Sequence, residues 1–255
     1  VDVLKRRVIP CLLLKDGGLV KTTRFSDPVY VGDPINAIRI FNDKEVDELM
    51  VLDIEASRRG REPDFGLIEQ FAGECFMPLC YGGGIRTVEQ AQRLFALGVE
   101  KVCIQSAGLE DMSLIRRIAD RFGSQSVLFS LDVRKGLLGG RSVHRHAGSR
   151  TESRAWRSVI DDAVRHGAGE IVLNAVDRDG TMKGVDEDLI RKGCEGLSVP
   201  LVAVGGVGSL ADIRKAVDAG ASAVGVGAWF VFYGPHRAVL ITYPRYDELV
   251  ALLES

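Results

Sequence analysis

With 255 residues, 46% hydrophobic and 27% charged, the chain can bury a sizeable core without disulfide or metal support, which excludes disordered and fibrous classes. Its 33 basic and 35 acidic residues leave a net charge of −2, so no broad positive field is available to hold nucleic acid. Five cysteines, Cys11, Cys75, Cys80, Cys103 and Cys194, lack the short paired spacings of a zinc site and read as reduced, buried thiols of a cytoplasmic protein.

In chain order, a basic cluster through Arg7 precedes an apolar stretch, 8–14, that is far too short to span a bilayer, so no membrane segment is expected. Further apolar runs follow at 49–54, 79–81, 102–104, 127–131, 171–173, 201–204 and 223–226. Because these runs do not alternate with polar residues, they predict parallel strands buried on both faces. Helical patterning lies between several of them. Over 87–98, for example, Val88, Ala91, Leu94, Phe95 and Leu97 recur mostly at three- and four-residue intervals, and Gly98 supplies a stop. His144 and His146 form a His-x-His pair without acidic or cysteine companions, which predicts a solvated hairpin and no metal site. The aromatic segment 229–233 is expected to close the final unit, and 246–253 is expected to form an amphipathic helix packed on the barrel.

The second half of the chain can be laid on the first. A displacement of 122 positions, that between Gly83 and Gly205, also superposes Pro78 on Pro200, Gly84 on Gly206, Gly98 on Gly220, Val102 on Val224 and Glu48 on Glu170. Two halves of four βα units predict one (β/α)8 TIM barrel domain over 1–255 with a twofold half-barrel repeat, rather than an open doubly wound sheet. Reactive groups are then expected at the C-terminal ends of the strands.

The repeat carries chemistry. Gly83 and Gly84 follow the third strand and Gly205 and Gly206 the seventh, with Gln105 and Ser106 after the fourth and Gly227 and Ala228 after the eighth. Glycine lets backbone N–H groups approach an anion, and a following helix N-terminus adds its positive dipole end. These loops are expected to hold a small molecule phosphorylated at both ends, although tight βα turns also need glycine for steric reasons.

Acidic residues end three strands at Asp53, Asp132 and the pair Asp177 and Asp179. Each is a candidate acid or base, with an N-cap or loop hydrogen bond as the alternative; Asp132, directly after an apolar strand, is the favoured catalytic residue. Aligning strand one with strand five needs a displacement of 119, that between Leu13 and Asp132, so an aliphatic residue faces the aspartate.

Lys-Asp-Gly after strand one, Leu-Asp-Ile-Glu-Ala-Ser at 52–57, Gly-Gly-Gly-Ile-Arg at 82–86, Phe-Gly-Ser-Gln at 122–125 and Asp-Arg-Asp-Gly-Thr at 177–181 occur in this order. The combination resembles the cyclase subunit family of imidazole glycerol phosphate synthase. The resemblance implies a barrel that takes ammonia from a glutaminase subunit and uses it on a substrate with two phosphate ends, without a cofactor. It implies two catalytic aspartates, of which one matches Asp132. The other belongs at position 13, within Cys-Leu-Asp-Val-Lys-Asp, where this chain reads Cys11-Leu12-Leu13-Leu14-Lys15-Asp16. Asn174-Ala175 likewise replaces the usual Thr-Ser.

The resemblance also implies that Lys21 lies on a mobile loop covering the substrate, that Asp53, Asn174, Asp177 and Asp179 belong to the pocket, and that Arg7, Glu48, Lys101 and Glu170 form a salt-bridged ammonia entrance. Losing a positioned proton-transfer group costs about 10² to 10⁴ in rate, so impaired or altered cyclase chemistry is expected. Paralogues with Leu-Leu-Leu-Lys resemble members that accompany lipopolysaccharide and other surface-polysaccharide biosynthesis. There the ammonia would serve a sugar amidotransferase. The alternatives are a histidine-pathway cyclase in which Asp16 or Asp53 substitutes, and a docking subunit that activates the glutaminase.

Overall fold

The computed structural model describes residues 6–136, 139–145 and 150–254. Eight parallel strands form its centre: β1 (Arg7–Lys15), β2 (Leu49–Asp53), β3 (Leu79–Gly82), β4 (Lys101–Ile104), β5 (Val127–Lys135), β6 (Glu170–Ala175), β7 (Leu201–Val204) and β8 (Ala223–Val226). Each pairs with the next, and β8 pairs back onto β1 through Val224 and Val8, so the sheet closes into a (β/α)8 barrel. The outer ring is α1 (Pro34–Asp43), α2 (Phe65–Glu74), α3 (Val88–Ala96), α4 (Ser113–Phe122), α5 (Trp156–Arg165), α6 (Glu187–Cys194), α7 (Leu210–Asp218) and α8 (Tyr246–Glu254). No helix among the described residues is long and apolar enough to cross a membrane.

The missing polar alternation has a structural cause. Ile9, Cys11, Met50, Cys80, Cys103, Leu128, Val172 and Val202 pack together inside the barrel. Their neighbours Val8, Leu12, Leu49, Val51, Ile171 and Leu173 belong to the layer beneath the helices. Both faces of each strand are therefore dry. Burial pushes the Cys11 thiol up to about 12, consistent with an inert core thiol. Cys75 and Cys194 are only half-buried, so the expectation of five buried thiols holds for three.

The repeat extends to backbone detail. Helices α3 and α7 have equal length, and each begins with a side-chain cap: Thr87 Oγ1 accepts from the Gln90 N–H at 3.2 Å and Ser209 Oγ from the Asp212 N–H at 3.3 Å. Two short helices, Ser106–Glu110 and Ala228–Val231, start from Gln105 and Gly227, whose φ,ψ pairs of −129°, −83° and −105°, −85° nearly coincide. Strand register places Leu13 beside Leu52 and Asp132 beside Asn174. On the other flank, Ile9 pairs with Gly225 and Leu128 with Cys103. Both flanks thus give the 119-residue displacement that makes Leu13 the counterpart of Asp132.

Two features depart from expectation. Strands β1 and β5 run past the barrel into antiparallel extensions, Gly18–Thr23 with Ser26–Gly32 after β1, and Arg141–Arg145 with Arg150–Glu152 after β5. His144 lies on the second extension, paired with Asp132 and buried, so it is not on a solvated hairpin; His146 lies outside the described residues. The segment 229–233 divides as well. Phe230 and Val231 are buried as expected, whereas Phe232–Tyr233 pairs with Ala238–Val239 in a hairpin that exposes Tyr233 and Val239.

Candidate active site at the barrel mouth

A cavity of about 250 Å³ opens at the C-terminal ends of the strands, and both Leu13 and Asp132 line it. Strand periodicity explains the placement. Leu131 faces the helix layer, so the next side chain, Asp132, points inward. Gln105 Nε2 donates to Asp132 Oδ2 at 2.6 Å, and Asn174 Nδ2 donates to Oδ1 at 2.9 Å. Burial pushes the Asp132 carboxyl up to about 6; the two amide donors oppose that rise, and Asp179 adds a smaller upward push. A carboxyl tuned to this range can hold or release a proton near neutrality.

Sequence reading grouped Gln105 with the phosphate loops, but its amide is bonded to the aspartate. The signal was available: Gln105 directly follows β4 and Asn174 lies near the end of β6, the two strands flanking β5.

Across the mouth, the three mirror-related positions are Leu13, Leu52 and Gly227. All three line the cavity. Lys21, on the first extension, is buried and reaches into this side. A Cβ at Gly227 would stand 2.0 Å from Lys21 Nζ, so glycine there leaves room for that nitrogen. Burial lowers the Lys21 pKa, and Asp179 and Cys11 act against that shift. Burial likewise raises the Asp179 carboxyl, eased by Lys21 and by Thr22, whose hydroxyl donates to Asp179 Oδ2 at 3.3 Å. The Arg24 N–H donates to Asp179 O at 3.0 Å, which fastens the extension over the mouth.

The other acidic candidates separate. Asp53 lines the cavity, but its Oδ1 accepts the Glu55 and Ala56 N–H groups at 2.9 Å each, a loop-forming arrangement. Asp177 does not line the cavity. Its Oδ2 accepts the Lys135 N–H at 2.5 Å, so the loop hydrogen bond, rather than a place in the pocket, describes it.

Gly83, Gly84, Ser106, Gly205, Gly206, Gly227 and Ala228 all reach the same cavity wall. Steric need alone accounts for four of these glycines. Gly83 and Gly205 have φ of +117° and +100°, and a Cβ would stand 2.4 Å from Asp53 O and 2.7 Å from Ala175 O. Gly84 and Gly206, at φ of +76° and +97°, would put a Cβ 2.7 Å from Arg61 O and 2.2 Å from Gly184 O. The Gly84 N–H donates to Ser57 Oγ at 3.2 Å.

At the opposite end, Arg7 joins Glu48 to Glu170 through its two terminal nitrogens. Lys101 Nζ closes the circuit at 2.8 Å from Glu48 and 3.4 Å from Glu170. Burial works against the Arg7 charge, but Glu170 and Glu48 outweigh it and hold the guanidinium pKa above its ordinary value. The apolar interior lies between this ring and the mouth.

A family description for histidine biosynthesis proteins matches residues 7–236. The chain is 57% identical over 251 residues to a Pseudomonas aeruginosa protein provisionally named imidazole glycerol phosphate synthase subunit hisF2, covering 97% of this chain and 99% of that protein. A Leptospira interrogans protein, provisionally named subunit HisF of the same synthase, is 46% identical over 252 residues, or 98% and 99% of the two chains. The subunit HisF of Streptococcus sanguinis is 36% identical over 232 residues, covering 91% and 92%. Barrel, mouth and relatives agree: the chain belongs to the histidine biosynthesis protein family, among its HisF-type imidazole glycerol phosphate synthase subunits.

Proposed function

We propose that this protein is the ammonia-conducting synthase subunit of a glutaminase complex, and that the ammonia serves sugar amidination in surface-polysaccharide biosynthesis instead of imidazole ring formation. One observation carries the reading: Leu13, Leu52 and Gly227 stand where the mirror-related half has Asp132, Asn174 and Gln105, while the charged ring at the other end is complete.

Ring closure by a pair of carboxylates needs one on each side of the substrate; on the second side Leu13 offers none, and the titratable group there is Lys21. Conduction makes a different demand. Neutral ammonia can pass an apolar interior that ammonium cannot enter without a large desolvation cost. The four ring charges balance formally, which favours a polar entrance that strips and admits the neutral molecule.

The test is a coupled assay with ammonia and the ribulosyl formimino carboxamide ribonucleotide. Turnover at least about 100-fold below that of a histidine-pathway cyclase is expected; turnover at the full rate excludes the reading. Glutamine labelled in the side-chain amide, given to the complex with its glutaminase and a sugar amidotransferase, should leave its nitrogen on the sugar.

A histidine-pathway cyclase is the second reading, favoured by the retained Asp132 and the pKa of about 6 to which burial brings it. A subunit that only docks and activates the glutaminase is the third. Leu13→Asp separates them: a large gain in cyclisation indicates a kept substrate pocket, and no change favours docking alone.

A further inference from the structure

Beside the mouth lies a second cavity, of about 330 Å³, lined by Arg24, Lys135, Asp177, Arg178, Thr181 and Lys183 together with Gly136. Four cations meet one carboxylate there. Among the described residues none of the four forms an ion pair, and the Asp177 carboxylate is bonded to the Lys135 backbone N–H. Arg24 Nε donates to Asp177 O at 3.1 Å and Arg178 Nη1 to Lys183 O at 3.3 Å, so these bonds place two guanidinium groups while leaving other N–H donors on each.

The two cavities share a wall. Thr22 and Phe25 line the mouth, whereas Arg24, between them in sequence, lines the outer cleft. A formal excess of three positive charges in a concave site adjoining the mouth favours a multiply charged anion. One phosphate brings about two negative charges; two linked phosphates meet the excess better, and the two guanidinium groups lining the cleft can each donate to their oxygens.

We propose that this cleft is a binding site for a diphosphate group, of the kind carried by nucleotides and nucleotide-activated sugars. The site goes beyond the ammonia reading and does not depend on it, because its residues lie at the end of β5 and on the loops after β1, β5 and β6, outside the central cavity, apart from the charged ring.

The experiment is titration calorimetry on the full chain at low salt with inorganic pyrophosphate, orthophosphate, uridine diphosphate, a uridine-diphosphate N-acetylated sugar and a glutamate-rich peptide. Pyrophosphate should bind more tightly than orthophosphate and weaken at least tenfold as salt is raised. The same loss is expected in the doubly substituted Lys135→Ala, Lys183→Ala protein, whose altered side chains are exposed and which should keep its circular dichroism; Arg178→Gln supplies an independent variant. Affinity for the nucleotide sugar equal to that for pyrophosphate supports a site for the diphosphate alone, and tighter binding of the sugar supports an activated-sugar site. Absence of pyrophosphate binding, binding that both variants leave unchanged, or preference for an acidic peptide over every phosphate probe overturns the proposal. Because no ammonia is involved, these outcomes are independent of the cyclisation assay.

Discussion

On one side of the mouth Asp132 receives amide donors from Gln105 and Asn174; on the other, equivalent backbone carries Leu13, Gly227 and Leu52. The strands share register and the short helices share their entry geometry, so the difference lies entirely in side chains. The comparison shows why the three positions change as a set. A carboxylate in an apolar mouth needs donors, and donors without their acceptor become a cost of about 1–3 kcal/mol each. With leucine at 13, an amide at 52 or 227 would face hydrocarbon. Glycine at 227 instead leaves space that Lys21 occupies, so this side presents a lysine nitrogen where the other presents a carboxyl.

The largest expected effect tests the shared backbone. Gly83→Val and Gly205→Val each force a branched side chain onto a positive φ and against a carbonyl oxygen, and each should destabilise by about 3–5 kcal/mol in urea unfolding. The two losses should be similar. Tolerance of one alone would break the backbone equivalence on which the comparison rests.

The unequal side chains give the next test. The Asp132 carboxyl has its pKa raised from 3.8 to about 6 in the folded chain, so the folded state binds the proton more tightly than the unfolded one. Its contribution is therefore full below pH 3.8 and is lost as pH rises through 6, by roughly 3 kcal/mol at 1.36 kcal/mol per unit. Asp132→Asn should stabilise the protein at pH 7.5, with the advantage vanishing toward pH 4. Leu13→Asn places the same residue at the mirror position, where Leu13 is half-buried on the cavity wall, and should destabilise by about 1 kcal/mol at both pH values through lost apolar contact. Two stability changes of the same sign at pH 7.5 would refute the asymmetry.

Much of this was legible in the sequence. The runs at 201–204 and 223–226 coincide with β7 and β8, and the 122-residue displacement holds to the residue for α3 and α7. Local apolar pattern and glycine spacing set these features. The extension Ser26–Gly32 was not legible because Val29 and Tyr30 are exposed and carry no burial pattern. His144 deceived for a related reason: its strand reads as a polar loop until antiparallel pairing with β5 places it beside Asp132. Gln105 and Asp177 show what spacing cannot decide. Each ends an element where chemistry is expected, but the direction of each side chain depends on which neighbour offers a hydrogen bond, inward to Asp132 for one and outward to Lys135 for the other.

The smallest expected effect concerns helix caps, where the two halves solve one problem with different residues. At α3, Thr87 Oγ1 accepts the Gln90 N–H while Gln90 Oε1 accepts the Arg86 and Thr87 N–H groups at 2.8 and 3.2 Å. At α7 the reciprocal partner is Asp212, whose Oδ2 accepts the Gly208 N–H and the Ser209 hydroxyl, both at 3.0 Å. Removing the capping hydroxyl should cost about 1 kcal/mol in each case. Ser209→Ala should cost the more, because Asp212 is buried and its charge loses a donor as well as the helix losing a cap. The two caps share no partner, so the double variant should show the sum of the single losses to within about 0.5 kcal/mol. A larger loss for Thr87→Ala would mean that the charge at position 212 contributes nothing to holding the second glycine loop in place.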